Sequence, residues 1–115
     1  MVIATILWLK TIICIRFDPS ITYEQAALAE PFSIGVNIVN RTMTSESDTV
    51  VVIGSGTIGL CILQAAKGVG AKVLVSDVVD EKLAKAKEMG ADVIVNSAKE
   101  NLAETVERFS PGGAV

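Results

Sequence analysis

The chain has 115 residues, half of them hydrophobic and a fifth charged, with a net charge of −3, two cysteines and no histidine. This is enough for one globular domain with a modest core, and the lack of a basic cluster argues against nucleic acid as a partner. A chain without histidine supplies no histidine base, triad or metal ligand, and Cys14 and Cys61 are too few for a disulfide framework or a zinc cluster, so both read as small buried hydrophobes.

The first segment, residues 1–17, is the most apolar, interrupted by Lys10 and Arg16. It is shorter than the roughly 20 apolar residues of a membrane span and has neither the leading charge nor the cleavage site of a secretory signal. No membrane partner is therefore expected, and the expected compartment is the cytoplasm. Richness in isoleucine favours a core strand over Ile12 to Phe17; the alternative is foreign sequence joined to the domain. Residues 18–48 read as a helical linker region. Asp18-Pro19-Ser20 makes a turn, and Thr22 to Gln25 fits a capping box that opens a short helix over Tyr23 to Ala29. Pro31 cannot continue that helix but suits the first turn of another, so a second helix is expected over Phe32 to Arg41, running in a new direction. Glu30 then falls at the break, where a carboxylate can point into a cleft. Thr42 to Asp48 is a polar surface loop.

Residues 49–115 read as strand, glycine turn, helix, strand, helix, strand, helix. Val50 to Ile53 is an uninterrupted β-branched run, as in a parallel strand buried on both faces. Gly54-Ser55-Gly56-Thr57-Ile58-Gly59 follows at once. Gly54 permits the tight turn, Gly56 lets a pyrophosphate reach the backbone, and Gly59 lets the next helix pack closely on the strand. That helix, Ile58 to about Val69, offers unpaired N–H groups to a phosphate and ends at Gly68 and Gly70.

A second apolar run, Val73 to Val75, leads to Asp77, about 20 residues past the glycines as a dinucleotide-binding fingerprint requires. A carboxylate there accepts from the adenosine ribose hydroxyls and repels a 2′-phosphate, which favours NAD over NADP. The competing reading makes Asp77 a helix N-cap, for which Asp80 is the better candidate. An amphipathic helix over Glu81 to Met89 follows, with Gly90 as its C′ residue. A third strand spans Val93 to Val95. Asn101 caps a last helix, in which Leu102, Val106 and Phe109 form a stripe expected to pack in the core.

The fold class is thus α/β, the first βαβαβα half of a Rossmann-type doubly wound parallel sheet preceded by short helices, with strand order 3-2-1 and the ligand at the carboxyl ends of the strands. The outer edge of the first strand is expected to lack a partner and to invite dimerisation unless the N-terminal segment covers it.

Ala26 to Pro31 (AALAEP), Val51 to Gly59 (VVIGSGTIG), and Asp77 followed by Lys82-Leu83, Ala86, Gly90 and Ala91 together resemble the zinc-containing medium-chain alcohol dehydrogenases, in particular the polyol branch that includes sorbitol dehydrogenase. The resemblance implies an oxidoreductase that moves a hydride from a secondary alcohol, a small-molecule substrate, to NAD with the help of zinc, in a homo-oligomer. It implies a place beside the adenosine ribose for Lys82 and beside the zinc for Glu30. It also implies that residues 18–48 link a catalytic domain to a cofactor domain, of which 49–115 are the first part. The family's catalytic domain has no counterpart in residues 1–17, so this chain alone is expected to bind the ADP part of NAD and not to turn over alcohol. The alternatives are a non-catalytic nucleotide-binding module and, with less support from the glycine spacing, an S-adenosylmethionine-dependent methyltransferase.

Overall fold

The computed structural model describes residues 16–115. The expected core strand over Ile12 to Phe17 and the burial of Cys14 lie, apart from Arg16 and Phe17, outside the described residues. Those two are in coil, and Phe17 meets Tyr23 edge to face at 6.0 Å.

Two helices come first. The capping box forms as the sequence requires: Gln25 N–H donates to Thr22 Oγ1 and Thr22 N–H donates to Gln25 Oε1, opening α1 (Tyr23–Ala27). The second helix, α2 (Ala29–Arg41), begins three residues earlier than expected. Pro31 sits inside its first turn, where the missing N–H costs nothing. The break is consequently at Leu28, and Glu30 lies in the first turn of α2, exposed to solvent.

Three parallel strands follow, β1 (Thr49–Ile53), β2 (Lys72–Asp77) and β3 (Val93–Asn96), in spatial order β1-β2-β3, the expected order 3-2-1 seen from the other edge. The crossover helices α3 (Thr57–Gly68) and α4 (Asp80–Glu88) cover one face. There Val50, Val52, Val73 and Val75 of the sheet pack with Leu63, Ala66, Leu83 and Ala86 in one cluster. Helix α2 forms a further layer on α3, with Val39 joining the same cluster.

The two crossovers end alike. In each, a glycine at positive φ (Gly70 at 88°, Gly90 at 101°) lets the next alanine amide reach back into the helix, Ala71 to the Ala66 carbonyl and Ala91 to the Ala86 carbonyl. A lysine three residues before each glycine, Lys67 or Lys87, donates to the carbonyl of that alanine. Both alanines are buried. The spacing Lys-x-x-Gly-Ala therefore marks each passage from helix to strand.

The last helix, α5 (Leu102–Phe109), is capped by Asn101 as expected, its Oδ1 accepting from the Ala103 and Glu104 amides. Its apolar stripe is not in the core: Leu102, Val106 and Phe109 are only half-buried. Leu102 and Val106 instead line an apolar groove of about 580 Å³ with Val51 and Ile53, on the face opposite α3. The edge of β1 also departs from expectation, because it has a partner. Val115 N–H donates to the Thr49 carbonyl and the Val115 carbonyl accepts from Val51 N–H, the pairing of a parallel bridge. Beyond Val51 the edge meets no further strand among the described residues, and Ile53 is 80% exposed.

Candidate nucleotide site

The turn between β1 and α3 has the geometry its glycines suggested. Gly54 has φ of 96°, a conformation that side chains disfavour, and its amide donates to the Ser76 carbonyl at 2.7 Å, which ties the turn to the end of β2. A Cβ on Gly59 would lie 1.9 Å from the Gly54 carbonyl oxygen, so the close packing of α3 on the turn admits only glycine there. A Cβ on Gly56 would meet nothing within 4 Å. Gly56 is also the N-cap residue of α3, and no side chain caps that helix. Gly56, Thr57 and Ile58, where α3 begins, are exposed to solvent.

Asp77 closes β2 next to this turn. Ser55 N–H (2.8 Å) and Ser55 Oγ (2.9 Å) both donate to its Oδ2, while the amides of Val78 (2.7 Å) and Val79 (3.0 Å) donate to its Oδ1. The Ser55 amide above all, with the Val79 amide, the Ser55 hydroxyl and the Val78 amide, outweighs partial burial and holds the Asp77 carboxyl down to about 2. The carboxylate is ionised throughout the physiological range. Ser55 itself is buried, with both its donors turned to Asp77.

Neither aspartate is the side-chain cap of α4, whose N-cap is Val79 without a capping side chain. Asp80, the expected cap, lies instead in the first helical turn. It joins a second cluster at the carboxyl end of β3, pairing with Lys99 and accepting from Asn96 Nδ2 at 2.6 Å. Buried Asn96 also reaches the Val78 carbonyl and receives the Ala98 amide. This cluster fixes the loop directly after Asp77. It was not anticipated, since it joins residues that only the pairing of β2 with β3 brings together.

The structure thus brings the turn from Gly54 through Ser55, Gly56, Thr57 and Ile58 to Gly59 next to Asp77 at the carboxyl end of the sheet. Lys82 is exposed on α4 and makes no ion pair with the described residues. Glu30 lies apart on α2. Cys61, expected to be buried, is half-buried and lines an apolar pocket of about 360 Å³ with Leu28, Phe32, Leu60 and Met89. Among the described residues no three of histidine, cysteine, aspartate and glutamate come together as a metal site. No helix among them is long and apolar enough to cross a membrane.

Comparison with known proteins bears on the same residues. The sequence profile of a family described as zinc-binding dehydrogenase matches residues 57–115. Sorbitol dehydrogenase of Ovis aries is 41% identical over 98 residues, 82% of this chain but 28% of that protein. Among solved structures, the Escherichia coli CFT073 alcohol dehydrogenase RspB, complexed with NADH, superposes with a TM-score of 0.76 at 37% identity, over 83% of this chain and 29% of that one. The alcohol dehydrogenase TADH of Thermus sp. ATN1 does so with a TM-score of 0.78 at 28% identity, over 84% and 28%. The chain spans little more than a quarter of the length of these relatives.

Proposed function

The chain belongs to the zinc-binding dehydrogenase family, whose relatives are named as sorbitol and alcohol dehydrogenases, and from that premise we propose that it carries the adenosine-diphosphate half of an NAD site in a longer alcohol or polyol dehydrogenase. In this reading residues 49–115 are the first part of the dinucleotide-binding domain, and residues 18–48 lead into it from a catalytic domain. The observation that carries the reading is the joining of Asp77 to the glycine turn by Ser55. It sets an ionised carboxylate near the start of α3, which no side chain caps, so that an acceptor for a ribose and donors for a phosphate lie side by side.

The residues present fit NAD. The free space at Gly56 leaves room for a pyrophosphate against the backbone, the first amides of α3 donate to its oxygens, and Asp77 accepts from the adenosine ribose while repelling a 2′-phosphate. Lys82, on the first turns of α4, is assigned to the rim of the ribose pocket. Bound NAD supplies the hydride acceptor, and this chain's part is to hold and orient its adenosine end. No three metal-ligating side chains come together among the described residues. Glu30, in the first turn of α2, takes the place beside the metal of the longer protein that the family resemblance implies.

The test is an NMR titration of the 115-residue chain with NAD. The largest amide shifts are expected at residues 54–59 and 77–79, saturating with concentration. Shifts confined to other residues, or none at millimolar NAD, would remove the assignment.

A further inference from the structure

Asn96 ends β3 in register with Asp77 and is 5% exposed. Its Nδ2 donates to the Val78 carbonyl at 3.3 Å and to Asp80 Oδ1 at 2.6 Å, and its Oδ1 accepts from the Ala98 amide at 3.0 Å. Acceptors at the nitrogen and a donor at the oxygen leave the side-chain amide one orientation. Asp80 is the first residue of α4, so a single buried side chain spans the loop from Val78 to the helix.

The hold on Val78 reaches further than the loop. The Val78 carbonyl and the Val79 amide belong to one planar trans peptide unit, in which C=O and N–H point in opposite directions. The carbonyl faces Asn96, and the amide donates to Asp77 Oδ1 at 3.0 Å. A rotation of this plane that releases the carbonyl also swings the amide away from the carboxylate. Ser55 grips the other oxygen, Oδ2, and does not depend on Asn96.

We propose that Asn96 is a positioning residue of the nucleotide site, setting the plane of the Val78–Val79 peptide so that its amide holds the Asp77 carboxylate in place for an adenosine ribose. The inference rests on the cofactor reading above and goes further, since it gives the third strand a part in ribose binding that is exerted wholly through Asp77. Loss of Asn96 loosens one carboxylate oxygen and leaves the other held, so affinity falls without disappearing.

The experiment is calorimetric titration with NAD of wild type, Asn96→Ala and Asn96→Ser, each repeated in the Asp77→Ala background. Serine keeps a hydroxyl for the Ala98 amide but lacks the reach to Val78, so it tests the same contact with less disruption should the alanine variant fail to fold. Either substitution is expected to weaken NAD binding roughly three- to tenfold, and the loss should vanish once Asp77 is alanine. Unchanged affinity in a folded variant, or a loss that persists without Asp77, overturns the positioning role and leaves the cofactor reading standing. Wild type that binds no NAD at millimolar concentration removes the cofactor reading, and the part of Asn96 in it. An Asn96 that merely stabilised the fold would lower the thermal midpoint without any such dependence on Asp77. NMR supplies a second readout: the Val79 amide proton should move upfield in both variants while that of Ser55 stays. A Val79 resonance that does not move overturns the inference.

Discussion

Gly56 and Gly59 stand three positions apart, and their surroundings demand different things of them. Gly59→Ala puts a methyl group 1.9 Å from the Gly54 carbonyl oxygen, an overlap relieved only by moving α3 off the turn. It is expected to cost about 1–3 kcal/mol or more and to lower the thermal midpoint. Gly56→Ala meets open space at an ordinary negative φ, so its stability should stay within about 0.5 kcal/mol of wild type. Its NAD affinity should fall roughly tenfold or more, because the methyl group lies where the pyrophosphate approaches. Thermal melts and NAD titrations of the two variants check both halves. Asp77 adds a pH signature. Its carboxyl is held at about 2, below the usual 3.8, so its stabilisation is fully present above pH 4 and is lost as pH falls from about 4 to 2. Denaturation curves across that window should show Asp77→Asn losing less stability than wild type. At this scale the tight turn at Gly54 and the close packing at Gly59 were legible because each is a local steric fact. The bond from Ser55 to Asp77 was not, since it joins residues 22 apart that meet only after β1 and β2 pair.

Gly35 went unremarked in the sequence, yet it sets the distance between two helices. It is buried in α2, and a Cβ there would lie 2.7 Å from the Cys61 carbonyl carbon and oxygen, backbone atoms that cannot turn aside. Gly35→Ala is expected to push α2 from α3 and cost about 1–3 kcal/mol, read by chemical denaturation, with NAD binding retained where the variant folds. A mid-helix glycine reads as a weakness in helix propensity, and only the partner helix reveals its use. Other elements were legible in proportion to how local their signals are. The capping box of α1, the Asn101 cap and the glycines after α3 and α4 act within a few residues and were read correctly. The expected start of α2 at Phe32 is too late because Pro31, read as marking the break, is the third residue of the helix. The end of α2 has no glycine at all: Met43 takes φ of 52° there, and Thr44 N–H returns to the Val39 carbonyl. A helix stop made by a side-chain-bearing residue leaves little sequence trace.

For the molecule as a whole, the sheet order and the layering of α3 and α4 followed from right-handed crossovers, whereas the surroundings of β1 depended on a tertiary contact. Two hydrogen bonds to Val115 cover the edge near Val51, and the edge beyond carries the exposed Ile53 beside the groove of α5. An apolar, partly unpaired edge recruits other strands, and a charge on it deters them. Sedimentation of the purified chain is expected to show self-association that Ile53→Lys reduces at equal concentration; identical profiles would acquit this edge. The cofactor assignment is tested most directly by measuring the dissociation constants of NAD and NADP for the 115-residue chain and for Asp77→Gly. Wild type is expected to bind NAD roughly tenfold or more tightly than NADP, and Asp77→Gly to lose affinity for NAD and most of the discrimination. Equal affinities in wild type, left unchanged by Asp77→Gly, would contradict a ribose-binding carboxylate at the end of β2.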